Sequence, residues 1–177
     1  MTLDGFFEGP GGDIYWHNVD AEFNEFAIAQ LNSADGLVCG RVTYQMMASY
    51  WPTEAAIKDD TIVAGLMNKI PKFVFSKTLT KAEWNNTKLV KGNISEEISK
   101  LKQQPGKDLL LFGSADLAST LTSLGLIDEY RVMVNPVILG RGMPLFKDVK
   151  DKLALKLVDT KTFGSGNVLL YYQRERK

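Results

Sequence analysis

The chain has 177 residues, 45% hydrophobic and 24% charged, with 21 basic residues balancing 21 acidic ones. This suits one globular domain, residues 1–177, large enough to bury a core without a staple. A formal charge of zero excludes the broad basic field of a non-specific nucleic-acid binder. No apolar run approaches the ~20 residues of a bilayer span, and one cysteine with one histidine excludes an internal disulfide and a usual zinc site. With no charged-then-apolar leader, a cytoplasmic location is the default expectation.

In chain order, Thr2–Phe7 reads as a strand and Gly9-Pro10-Gly11-Gly12 as a loop. Phe23, Phe26, Ala27 and Leu31 recur at helical spacing, which predicts a helix over Asp20–Asn32 with Asp20 as its cap. A second strand, Gly36–Gly40, precedes helices over Thr43–Tyr50 and Ala55–Lys69. Pro71 stops the latter, and short strands follow at Lys72–Ser76 and Thr87–Val90. Asn93 and Glu96 have capping-box spacing before a helix through Leu101. Asp108–Phe112 is almost wholly apolar, as at the centre of a sheet. Ser114–Leu124 reads as a helix closed by Gly125. A strand over Tyr130–Leu139 is interrupted by Pro136, and Leu153–Thr162 with Val168–Arg174 forms a terminal hairpin. Alternating strands and helices predict an α/β fold: a mixed, mostly parallel sheet of about eight strands, flanking helices and a C-terminal antiparallel hairpin.

Three junctions carry the chemistry. In Val38-Cys39-Gly40-Arg41-Val42-Thr43-Tyr44 a strand runs through glycine into a helix start, where unpaired N–H groups and the helix dipole favour an anion. Gly40 has no Cβ to obstruct a ligand, and Arg41 adds a planar fork of donors. Phe112-Gly113-Ser114-Ala115-Asp116-Leu117 repeats that logic without the G-x-G-x-x-G fingerprint. Phe75-Ser76-Lys77-Thr78 brings two hydroxyls and an ammonium off a third strand end, suited to a phosphate monoester. Each junction alone is also a plain turn. Together they suit one extended ligand with separated phosphates, such as NADPH, outside the carboxyl ends of a parallel sheet. Cys39 lies in an apolar run and reads as a small buried hydrophobe. His17 is either a solvated loop residue or a proton carrier.

Four stretches resemble the dihydrofolate reductase-like superfamily, and within it the reductase domain of riboflavin-biosynthesis deaminase-reductases and its stand-alone relatives. They are Thr2-Leu3-Asp4-Gly5-Phe6, Gly40-Arg41-Val42-Thr43-Tyr44, Phe112 to Leu117, and Leu126-Ile127-Asp128-Glu129 running on to Pro136-Val137-Ile138-Leu139-Gly140-Arg141-Gly142-Met143-Pro144-Leu145-Phe146. The resemblance implies a three-layer fold and an NADPH-dependent reductase similar to 5-amino-6-(5-phosphoribosylamino)uracil reductase, delivering hydride to an imine or open-chain sugar carbon of a small molecule. By it, Arg41 and Thr43 contact cofactor phosphates, Ser76 and Lys77 face the 2′-phosphate, and Gly113, Ser114, Ala115, Asp116 and Leu117 cradle the diphosphate. Asp4 matches an aspartate beside cofactor and substrate; as Asp-Gly it also reads as a turn former. Trp16 and Asp20 stand near the tryptophan and acid of dihydrofolate reductases. The acid, however, falls one residue early at Asp20 or late at Glu22, either of which also serves a helix start. Arg141 is a candidate for a ribose phosphate, and glycines 9, 11 and 12 for a loop closing over the nicotinamide. A homodimer pairing Tyr130–Leu139 across a two-fold axis is a further implication. The alternatives are a dihydrofolate reductase proper and a nucleotide-binding protein of this fold without turnover.

Overall fold

A computed structural model describes residues 1–175 and resolves them into two compact units, Asn24–Leu117 and Met1–Phe23 with the chain from Ala118 onward. The α/β class expected from the sequence holds: a parallel sheet, flanking helices and a C-terminal antiparallel hairpin. Among the described residues the strands number nine and fall into three sheets.

The Asn24–Leu117 unit holds a four-stranded parallel sheet, β2 (Ala34–Gly40), β3 (Lys72–Phe75), β4 (Thr87–Val90) and β5 (Asp108–Leu111), in the order β4-β3-β2-β5. Crossovers are made by α2 (Arg41–Tyr50), α3 (Glu54–Asp59), α4 (Thr61–Lys69) and α5 (Ile94–Lys102). The inner strand β2 buries Leu37, Val38 and Cys39, and Leu37 and Cys39 pack with Tyr44, Met67, Val74 and Trp84 into one apolar core. The sequence places the strand at 108–112 at the sheet centre; among the described residues it pairs instead with β2 alone, at the end of this sheet. An apolar run only demands cover on both faces, and cover does not reveal how many neighbours lie alongside. The single helix expected over 55–69 is broken at Asp60, whose φ of −143° leaves the helical region and whose carboxylate accepts the N–H groups of Ile62 and Val63. Continuous apolar spacing across 55–69 hides this second cap.

In the other unit, β6 (Glu129–Val134), β8 (Leu155–Thr162) and β9 (Val168–Arg174) form an antiparallel sheet in the order β6-β9-β8. The short strands β1 (Phe6–Glu8) and β7 (Met143–Pro144) pair separately. The strand expected from Thr2 begins only at Phe6, because Thr2–Phe6 closes a tight turn around Gly5 at φ +90°. The strand expected to reach Leu139 ends at Val134, before Pro136. Helix α1 (Ala21–Asn32) starts after Asp20, which caps it by accepting the Phe23 N–H at 2.8 Å. Helix α6 (Ala115–Ser123) is closed two residues on by Gly125, at φ +66°, with the Leu126 N–H returned to the Leu121 carbonyl.

Candidate functional site

Because β2 to β5 run parallel, their carboxyl ends share one edge. Register places Gly40 beside Phe75, Phe75 beside Val90, and Val38 beside Leu111. The three junctions singled out in the sequence therefore leave adjacent strands, β5, β2 and β3, spread over about 10 Å at the ~4.8 Å strand spacing.

Gly40 precedes the first turn of α2, and its N–H donates to Ser114 Oγ at 3.1 Å. A Cβ at Gly40 would stand 2.4 Å from that oxygen. The missing side chain thus makes room for Ser114, where the sequence suggested room for a ligand. Gly113 and Ser114 are both left-handed, at φ +55° and +63°. This is an uncommon state for a serine, held here by the bond that ties the ends of β2 and β5. The turn delivers the chain into α6, whose first N–H groups belong to Ala115, Asp116 and Leu117. Ala115 and Leu117 are buried, so an anion there would meet main chain; the Asp116 carboxylate lies in the first turn and complements the dipole.

Arg41 is exposed and donates to Gln45 Oε1 at 2.9 Å, with no carboxylate partner among the described residues. Thr43 is buried, so its main-chain N–H in the first turn of α2 is what it could offer an anion, not its hydroxyl. Ser76 Oγ accepts the N–H groups of Thr78 and Leu79 at 3.2 and 2.9 Å, closing a small turn that presents Lys77 to solvent. The edge therefore offers main-chain donors at two helix starts, one guanidinium and one ammonium. Among the described residues no cluster of histidine, cysteine and carboxylate groups could hold a metal.

The other candidates lie in the second unit. Asp4 accepts the N–H groups of Leu139 and Gly140 at 3.3 and 2.7 Å. A Thr2 hydroxyl bond, then these two N–H groups, hold its carboxyl below the ordinary value, so it stays ionised. Trp16 donates to the Asp13 carbonyl at 3.0 Å and packs on His17 with ring centroids 4.1 Å apart. Asp20 is the α1 cap already described, and Glu22 Oε2 accepts the Gly164 N–H at 2.8 Å. Both acids near Trp16 are thus engaged by backbone. Arg141 lies exposed in the loop between the residues that bond Asp4 and β7. Gly9, Gly11 and Gly12 line a cavity of about 310 Å³ with Glu8, Gly142 and Met143.

Two features escaped the sequence reading. The loop carrying Trp16 is anchored by Asn18, whose N–H donates to Asn135 Oδ1 at 3.0 Å and whose carbonyl accepts Asn167 Nδ2 at 3.0 Å. Asn135 and Asn167 are buried, an expensive setting for amides that these bonds offset in part, since Asn167 Oδ1 finds no partner among the described residues. The second is Lys72, a fully buried cation beneath Trp84. The asparagine bonds join positions distant in the chain, whereas Lys72 meets the nearby carbonyls of Met67 and Ile70 as well as Trp84; neither leaves a periodic trace.

Comparison with known proteins shows the family and the fold. A family model described as the RibD C-terminal domain matches residues 1–169. The uncharacterized protein YyaP of Bacillus subtilis (strain 168) is 40% identical over 174 residues, covering 97% of this chain and 90% of its own. The solved structure of a candidate riboflavin biosynthesis protein from Shewanella sp. PV-4 superposes with a TM-score of 0.77 at 26% identity, covering 99% of this chain and 96% of that one. The Thermotoga maritima diaminohydroxyphosphoribosylaminopyrimidine deaminase/5-amino-6-(5-phosphoribosylamino)uracil reductase gives 0.67 at 17% identity over 98% of this chain and 54% of its own. With dihydrofolate reductase among its structural neighbours as well, the chain belongs to the RibD C-terminal domain family.

Proposed function

We propose that this protein is an NADPH-dependent reductase of the riboflavin-pathway type, acting on an imine or open-chain sugar carbon of a ribosylated aminopyrimidine. The observation that carries this reading is the adjacency of three donor-bearing turns on neighbouring parallel strands. The donor set suits the coenzyme: main-chain N–H groups at 115–117 and 41–43 for a diphosphate, Arg41 for its charge, and Ser76 with Lys77 for a 2′-phosphate. When bound, the coenzyme supplies the hydride. The chain's own part is orientation and electrostatics. The Ser114–Gly40 bond fixes two turns, Arg41 and Lys77 bring charge unspent on any carboxylate among the described residues, and the ionised Asp4 holds the Leu139–Gly140 loop. Because Asp20 and Glu22 are both engaged by backbone N–H groups, a pterin-protonating acid is disfavoured and the aminopyrimidine reading preferred.

Thermal denaturation with NADPH, with NADH and without nucleotide tests the coenzyme. NADPH at 100 times its Kd should add about 2.7 kcal/mol of stability. Ser76→Ala combined with Lys77→Ala should remove the preference for NADPH and leave NADH binding unchanged; equal stabilisation by both nucleotides in the wild type contradicts the assignment. Loss of nicotinamide absorbance on adding 5-amino-6-(5-phosphoribosylamino)uracil supports the reductase. Turnover with dihydrofolate alone supports the pterin alternative, and binding with no turnover supports a binding protein.

A further inference from the structure

The main chain at Asn18 is held by side chains from two distant segments. Among the described residues, the hydrogen bonds of residues 13–17 stay within 9–17: the Tyr15 N–H donates to Asp13 Oδ1, the Gly9 N–H and the Trp16 indole to the Asp13 carbonyl, and the His17 N–H to the Ile14 carbonyl. Asn18 is where this loop meets the rest of its unit. Its N–H donates to Asn135 Oδ1 at 3.0 Å, its carbonyl accepts Asn167 Nδ2 at 3.0 Å, and its own Nδ2 donates to the Ser165 carbonyl at 3.3 Å. A peptide group away from water needs partners, and two asparagine side chains stand here in place of a neighbouring strand. Both are anchored in turn, at 2% and 0% exposure. Asn167 closes the turn between β8 and β9 by accepting the Phe163 N–H, and a Cβ at Gly166 of that turn would stand 3.3 Å from Pro136.

The residues that follow Asn135 lead to Asp4. The Asn135 N–H donates to the Met1 carbonyl, the Leu3 N–H to the Val137 carbonyl, and the Leu139 and Gly140 N–H groups to the Asp4 carboxylate. Segment 135–140 thus carries the Asp4 turn, and the Asn135 side chain ties that segment to the Trp16 loop. Apolar side chains would fill this space without desolvating amides. The amides are kept although Asn167 Oδ1 has no partner among the described residues, and exceptions of that kind gather at functional sites. We infer that Asn135 and Asn167 are positioning residues for the substrate: they clamp the main chain at 18 from both sides and so fix the Trp16 loop relative to Asp4. This rests on the reductase reading, with Trp16 and Asp4 on the substrate side, and adds the residues that hold those two in place.

Asn135→Leu removes the acceptor of the Asn18 N–H. With NADPH and 5-amino-6-(5-phosphoribosylamino)uracil it should lose on the order of 10²-fold in kcat, the effect of a misplacement of about 1 Å. The Kd for NADPH should stay at the wild-type value. Asn167→Leu, which leaves the Asn18 carbonyl unpaired, should behave alike. Asn135→Asp gives up only the long 3.4 Å contact to the Met1 carbonyl, keeps an acceptor for Asn18, and should recover most of the loss. Leu121→Ala, a core change in the same unit, should lower the melting temperature and leave kcat unchanged where the variant is folded. In the free protein, amide exchange at residues 14–18 should quicken in Asn135→Leu and not in Leu121→Ala. Should Asn135→Leu fail to fold, Asn135→Ser, too short to reach Asn18, takes its place. Unchanged exchange at 14–18 overturns the clamp whatever the activity. Quickened exchange with wild-type kcat overturns its role in positioning and leaves the reductase reading standing. A loss of kcat that Asn135→Asp does not recover, that Leu121→Ala shares, or that comes with weaker NADPH binding shows a structural role only and overturns the inference. A wild type that binds NADPH without turnover removes the reductase reading and the positioning role together.

Discussion

Gly142→Ala is expected to cost about 3 kcal/mol of stability, at the upper end for overpacking into a fixed neighbour. A Cβ at this position would lie 2.2 Å from the Glu8 carbonyl oxygen and 3.3 Å from the Gly9 Cα. Both are main-chain atoms of the segment that β7 pairs with, so no side chain can rotate aside. The residue also sits at φ +157°, where an L side chain adds strain. β1 and β7 must separate or the Gly9–Gly12 loop must move. Gly140→Ala, two residues earlier, is the matched control: its φ is +72° but nothing lies within 4 Å of a Cβ. It should cost only the left-handed backbone penalty, about 1 kcal/mol. Urea denaturation of the two variants separates the mechanisms; equal losses would show that conformation alone, and not the contact with Glu8, demands glycine at 142.

Lys72→Met should destabilise the parallel-sheet unit by about 2–4 kcal/mol, since it leaves buried carbonyls unpaired. The Lys72 ammonium donates to the carbonyls of Met67 and Ile70 at 2.7 and 2.8 Å, and lies 4.2 Å from the Trp84 ring centre. It closes the end of α4 in place of the main-chain donors a longer helix would have provided. Methionine fills the volume but satisfies neither carbonyl. Burial also pushes the Lys72 pKa down from 10.5 to about 8. Between those values the unfolded chain binds more protons at this site than the folded one, so the contribution of Lys72 to stability rises with pH from about 8 to 10.5. Lys72→Met should lack that rise. Denaturation curves for both proteins at pH 7, 9 and 10.5 check the two statements; an unchanged stability at pH 7, or the same pH slope in both, contradicts them.

These two residues show where sequence legibility stopped. Thr87–Val90 and Val168–Arg174 were readable to the residue, because β-branched and apolar runs bounded by polar turns define a strand locally. The Asp20 and Asn93 caps were equally local and are both present. Each of the three junctions was visible as a strand passing into a helix or turn. Their adjacency was not, because strand order is set by which crossover packs where, and no window around Gly40 mentions Ser76 or Ser114. Lys72 reads in the sequence only as the polar start of a strand, because nothing in the local pattern shows that its ammonium turns inward onto the α4 carbonyls. Gly142 was noted in a long pattern, but only the pairing of β1 with β7 shows what it touches.

Amide hydrogen exchange with and without NADPH tests the account most directly. Binding should slow exchange together at residues 41–43, 77–79 and 113–117, the three turns at the ends of β2, β3 and β5. Protection confined to one turn, or none at any of them at saturating NADPH, would mean that these strand ends do not hold one ligand.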